Sequence, residues 1–194
     1  NNMKINIYTE ITPNPNVMKF VASSIITESD IEASKNKKSK TSSLANKLLM
    51  FPFIDEVYIS KNFLAIKKNN DIDWLDIAND MREFIQDYVN SENYKIYSTK
   101  LEKDNSIGTK KENKKNSVDE EEINSILEKY ILPAVRMDGG NIILIEFKKG
   151  ILKLGMKGAC NGCPSASITL KEGIQKTLEQ HMPGKIKEIQ AENV

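Results

Sequence analysis

The stretch from Leu101 to Val118, LEKDNSIGTKKENKKNSV, limits the architecture more than any other part of the chain. It is rich in Lys, Asn and Glu and offers almost no side chain to bury. Such a segment cannot offset the entropy of ordering, and it reads as a flexible linker. The chain has 194 residues, enough for two small domains on either side of it. We expect an N-terminal domain over 1–98, a flexible polar linker over 99–118 and a C-terminal domain over 119–194.

The first block opens with Ile5 and Ile7 between polar neighbours, a strand pattern. The run TPNPN, Thr12 to Asn16, is turn chemistry. Val17 to Ile26 returns to strand character. The polar, Lys/Ser-rich stretch from Thr27 to Ser43 reads as a mobile loop. Ser43 can cap a short helix through Leu44, Leu48 and Leu49. Ile54 to Lys67 reads as a hairpin around Lys61-Asn62. Asp73 opens an amphipathic helix whose stripe includes Trp74, Ile77, Met81, Phe84, Ile85 and Tyr88; Trp74 reads as a core anchor.

In the second block Ser117 or Asp119 can cap an acidic-fronted helix with Ile123, Ile126, Leu127 and Tyr130 on its buried face. Leu132-Pro133 should end or kink it. Asp138-Gly139-Gly140 is a sharp turn. Asn141 to Phe147 and Ile151 to Met156 form an antiparallel pair around Lys148–Gly150. A helix from about Pro164 to Gln180 follows, with Gly173 allowing close backbone approach, and IKEIQ, Ile186 to Gln190, is a last strand. The fold class is α+β, with a C-terminal α-β-β-α-β domain on a three-stranded sheet.

The chemistry is concentrated in GACNGCPSASIT, Gly158 to Thr169. It holds both cysteines of the chain, Cys160 and Cys163. Two thiolates at this spacing can grip one soft metal atom or close a small disulfide. Pro164 suits the first position of a helix, which places Cys163 at the N-cap and Cys160 in the loop before it. The helix end favours thiolate over thiol. A closed four-ligand metal or cluster site needs more than this chain holds, since His181 is its one histidine. Two copies around a two-fold axis would supply four thiolates, so the pair reads as half of a shared site. An Asp, a Glu or a small exogenous thiol could fill the gap instead.

Composition narrows the class. A net charge of +1, from 28 basic and 27 acidic residues, gives no field toward nucleic acid or membrane. Two cysteines do not make a secreted disulfide framework, and a reducing, cytosol-like compartment fits better. The N-terminal NNMKINIYTE has no signal-peptide core, although a mature form could have lost a transit peptide. No apolar run approaches the roughly 20 residues of a membrane span.

At this point VRMDGGNIILIEF and GACNGCPSASITLKEGI resemble the C-terminal domain of the NifU-like (Nfu) iron–sulfur carrier proteins. TPNPNVMKF resembles that family's N-terminal domain. The likeness covers nearly the whole chain except the linker and the polar loop after Thr27. It lacks the extra domains of full-length NifU and resembles the short, stand-alone type. The resemblance implies a non-enzymatic carrier in which Cys160 and Cys163 of two protomers hold one [4Fe-4S] cluster, with a [2Fe-2S] form as the alternative. It implies homodimerisation on loading, an upstream cluster donor and apo-protein clients, in a bacterial-type cytoplasm or an organelle matrix. The N-terminal domain carries no Cys or His and is expected to dock clients.

Other uses of the same cysteines are weighed against this. A thiol–disulfide oxidoreductase also places C-x-x-C at a helix start, but no β-α-β run precedes the motif. GMKGACNGC has the look of a copper-chaperone loop with two residues inserted, but the element order differs. Inert buried cysteines are disfavoured by the Gly, Ala and Asn around them, which suggest an exposed loop. His181 reads as a dipole-stabilised surface residue, Asp138 as shaping its turn, and Lys157 as near the sulfurs or solvated.

Overall fold

The computed structural model of the chain describes residues 4–92, 94, 118–160 and 164–194, with side chains at 164–167 left undescribed. Alternating apolar residues build the first sheet. Its strands are β1 (Ile7–Ile11), β2 (Val17–Ala22), β3 (Ile31–Ser34), β4 (Ile54–Ser60) and β5 (Phe63–Lys68). All pairings are antiparallel, in the order β1-β2-β5-β4-β3. Helices α1 (Ser43–Leu48) and α2 (Trp74–Val89) join one face, where Phe20, Leu64 and Ile66 share a core with Leu44, Trp74, Met81 and Ile85. Trp74 is 5% exposed, a core anchor as its spacing suggested.

Two local expectations shift. The stretch expected as a mobile loop over Thr27 to Ser43 contains strand β3, which pairs with β4 at the sheet edge. Ile31 and Ala33 alternate into the core there, and two inward side chains suffice to hold a short edge strand among polar neighbours. Ser42, not Ser43, caps α1: its hydroxyl accepts from the Ala45 N–H at 3.1 Å. In TPNPN the Thr12 hydroxyl donates to the Asn14 carbonyl (2.8 Å) and the Asn14 side-chain oxygen accepts from the Asn16 N–H (3.0 Å). Side chains that satisfy their own turn in this way hold it rigid.

The second half begins with α3 (Val118–Ile126), a π-helical turn (Leu127–Ile131) and α4 (Leu132–Met137). Pro133 was expected to end or kink this helix. The helix does not end there: the chain widens just before Pro133, with the Leu132 N–H reaching five residues back to the Leu127 carbonyl, and continues. Strands β6 (Gly140–Lys148) and β7 (Ile151–Gly158) pair antiparallel around Lys149 and Gly150, both at positive φ. That is the backbone twist a two-residue hairpin turn requires. Helix α5 (Pro164–His181) crosses over to β8 (Glu188–Asn193), which lies parallel to β7. The order is α-β-β-α-β on a three-stranded sheet, as expected. Gly173 meets no close backbone: among the described residues nothing stands within 4 Å of where its Cβ would be. The linker expected over 99–118 lies outside the described residues, except Val118, which opens α3.

Candidate functional site

The cysteine loop joins β7 to α5, at one rim of the second sheet. Cys163 and the two residues before it lie outside the described residues; Pro164, next in sequence, is the first residue of α5. The first turn of that helix contains no acidic residue.

Cys160 is placed in detail. It is 8% exposed, which corrects the expectation of an exposed loop at this residue. It belongs to the second core, with Ile131, Val135, Met156 and Ile174. The reason is Gly140. A Cβ added there would lie 2.3 Å from the Cys160 sulfur, so the missing side chain is the seat the sulfur occupies. The neighbouring Gly139 has φ +78° and makes the turn, while its carbonyl accepts from the Ala159 N–H at 3.1 Å. The doubled glycine therefore does two jobs, a left-handed turn and a sulfur seat.

The sulfur's residue also lines a groove of about 500 Å³ between α4 and α5. Ala134, Asp138, Leu170 and Gly173 line it too, and Pro13 of the first half forms part of its wall. Cys160 thus packs into its own core and also lines this groove.

The remaining candidates separate from it. His181 is exposed at the end of α5, its Nδ1 2.9 Å from the Thr177 carbonyl and its ring 4.5 Å from that of Tyr130. Asp138 caps α4 through its N–H to the Ala134 carbonyl (3.2 Å). Lys157 is partly buried, and its Nζ lies 2.7 Å from Glu32 of the first half. Among the described residues no three His, Cys, Asp or Glu side chains converge as a metal site. No helix among them is long and apolar enough to cross a membrane.

The structure adds residues that sequence reasoning passed over. Asn14, inside TPNPN, donates from its side chain to the Ala159 carbonyl at 3.5 Å. Tyr58 and Asp30 meet Asn141, whose amide nitrogen is 3.1 Å from each. Burial and the adjoining Asp30 carboxylate push the Tyr58 hydroxyl far above the ordinary tyrosine range. The one signal available for Asn14 was the likeness of TPNPNVMKF to a known motif, which said nothing of where it would pack.

Comparison with known proteins agrees with this architecture. Residues 7–92 match the family described as scaffold protein Nfu/NifU N terminal, and residues 123–190 match the NifU-like domain. Over 179 residues the chain is 30% identical to the Homo sapiens protein named NFU1 iron-sulfur cluster scaffold homolog, mitochondrial, covering 91% of this chain and 68% of that one. Over 192 residues it is 31% identical to NifU-like protein 5, mitochondrial, of Arabidopsis thaliana, covering 96% and 67%.

Proposed function

We propose a function from one premise: the chain belongs to the Nfu/NifU family of iron–sulfur cluster scaffold proteins, which are carriers and not enzymes. In this reading Cys160 and Cys163 are the cluster ligands, and the cargo is a [4Fe-4S] cluster held between two copies of the chain. The observation that carries it is the placement of the pair: Cys160 lines a groove just after β7, and Cys163 comes immediately before Pro164, the first residue of α5. The thiolate is the form that binds iron, and the start of a helix favours it at the cysteine that precedes that helix in sequence, Cys163. The donor set is soft sulfur only, and two cysteines per chain leave a cubane two ligands short. A second copy supplies the other two.

Delivery follows from the same shortage. A cluster held by only two sulfurs of each chain is open to exchange with an incoming client thiolate. One iron–sulfur bond forms as one breaks, and the displaced Cys thiolate takes up a proton or waits for the next cargo. The pair of chains separates when the last bond is exchanged. Clients are apo-proteins with free cysteines, and an upstream donor of like chemistry fills the carrier. A reducing compartment, cytoplasm or organelle matrix, keeps the dithiol ready. The division into domains over 1–98 and 119–194, joined by a flexible linker over 99–118, is part of this reading.

The test is anaerobic reconstitution with iron and sulfide, followed by absorbance and Mössbauer spectra. Wild type should gain a cluster and Cys163→Ser should not. Equal cluster content in the two proteins would overturn the ligand assignment. A dithiol oxidoreductase would instead reduce insulin and lose that activity in Cys160→Ser.

A further inference from the structure

The outer face of the first sheet is buried without any helix of its own half on it. Val17, Tyr58, Phe63 and Ala65 form a small cluster there, and the residue that completes it is Ala159, immediately before Cys160. Polar contacts ring this cluster and fall near the end of β7, which leads into the cysteine loop, and near the start of β6 paired beside it. At the end of β7, Asn14 donates to the Ala159 carbonyl and Lys157 pairs with Glu32 at 2.7 Å. At the start of β6, Lys19 donates to the Met137 carbonyl at 2.9 Å, and Asn141 meets Tyr58 and Asp30. Asp30 is fixed in turn by the Tyr58 hydroxyl (2.7 Å) and the Ser60 hydroxyl (2.6 Å). Gly158 lets the two halves approach, since a Cβ there would come within 3.0 Å of the Tyr58 ring.

We propose that the N-terminal half is a clamp on the segment from Lys157 to Cys160, which keeps the Cys160 sulfur inside and releases it when a second chain arrives to share a cluster. The reasoning is geometric. A sulfur shared between two chains faces outward at an interface, whereas Cys160 is turned inward against Gly140. Turning it out moves the peptide from Gly158 to Cys160. That peptide is held by Ala159 in the inter-half cluster and by Asn14 on the Ala159 carbonyl. Opening the clamp and presenting the sulfur are therefore one motion. The clamp guards the empty carrier, because a buried sulfur is slow to oxidise or to capture stray metal. This inference rests on the assignment of Cys160 as a cluster ligand, but its test does not need a cluster.

The experiment measures how fast Ellman's reagent labels Cys160 in the full, reduced chain, with Cys163→Ser in place so that one sulfur reports. Rates are normalised to the same protein in denaturant. Glu32→Lys sets two positive charges against each other, and Tyr58→Phe removes the hydroxyl that meets Asn141. Losing contacts of this strength raises the open population, and so the labelling rate, on the order of tenfold. The exchanged pair, Glu32→Lys with Lys157→Glu, should return the rate toward its starting value, which a general loosening of the fold would not do. Labelling of the starting protein at the denatured rate overturns the clamp, and so do rates indifferent to all three changes. If the variants label faster but Cys163-intact protein never takes up iron and sulfide, the clamp stands and the cluster assignment fails.

Discussion

Gly140 and Cys160 form the tightest residue pair in the account. An alanine at 140 would bring its methyl to 2.3 Å from the sulfur, a separation that two such atoms cannot keep. The loop has to shift, and forced overpacking of this kind costs about 1–3 kcal/mol. Gly140→Ala should therefore lower the urea midpoint and speed the labelling of Cys160, while the cysteines themselves remain. An unchanged midpoint and an unchanged labelling rate would show that the seat is not what places Cys160. The pair of cysteines was plain in the sequence, as were their spacing and the helix behind them. The burial of Cys160 was not, because it depends on a missing side chain twenty residues earlier that only strand pairing brings beneath the sulfur, Gly140 standing opposite Gly158.

Among the elements, α5 links the site to the core. Ile174 and Leu178 are its buried anchors, with Leu178 fully buried among the second set of apolar residues. Leu178→Ala should cost about 2–5 kcal/mol, measured by chemical denaturation, since it leaves a cavity under the helix. The first sheet has a pH-dependent element of its own. Tyr94 donates its hydroxyl to the Ile26 carbonyl, and burial, with Tyr88 nearby, pushes it up to about 12. Tyr58 is raised as well. Tyrosine in an unfolded chain ionises near pH ~10. Below that value both states keep the proton and the contribution is intact. Above it the unfolded chain ionises first, so stability falls as pH rises toward the folded values. Urea midpoints should thus be level from neutral pH and decline above about pH 10, with a shallower decline in Tyr94→Phe. Period and turn chemistry gave most of these elements away: the α2 stripe, the tight turn over Lys148–Gly150 and a last strand after α5 all follow from the pattern, whereas the parallel pairing of that strand with β7 does not. Strand β3 was hidden because two inward residues, Ile31 and Ala33, are too few to stand out in a Lys/Ser-rich stretch. The passage of a helix through Pro133 was hidden because a π-turn has no residue signature comparable to a cap.

On the scale of the whole molecule, the first sheet has two buried faces for different reasons. One carries its own helices, and the other rests on the cysteine loop of the second half. That second use was beyond sequence reading, since each half is patterned as if it stood alone. It also changes what the N-terminal half is for. A pure client-docking module would leave transfer to some clients slower when removed and the loop's own reactivity unaltered; a clamp alters the loop as well. Removing residues before the linker should leave cluster binding in place, slow transfer to some clients and speed the labelling of Cys160. Equal transfer to every client would remove the docking role and leave the clamp to be judged by labelling. The central claim, that one cluster is completed by the cysteines of two chains, is tested most directly by native mass spectrometry of the anaerobically loaded protein. The account predicts two chains carrying four iron and four sulfide, with none retained when Cys160 and Cys163 are both serine. A single chain holding a whole cluster, or iron kept by the double-serine protein, would contradict it.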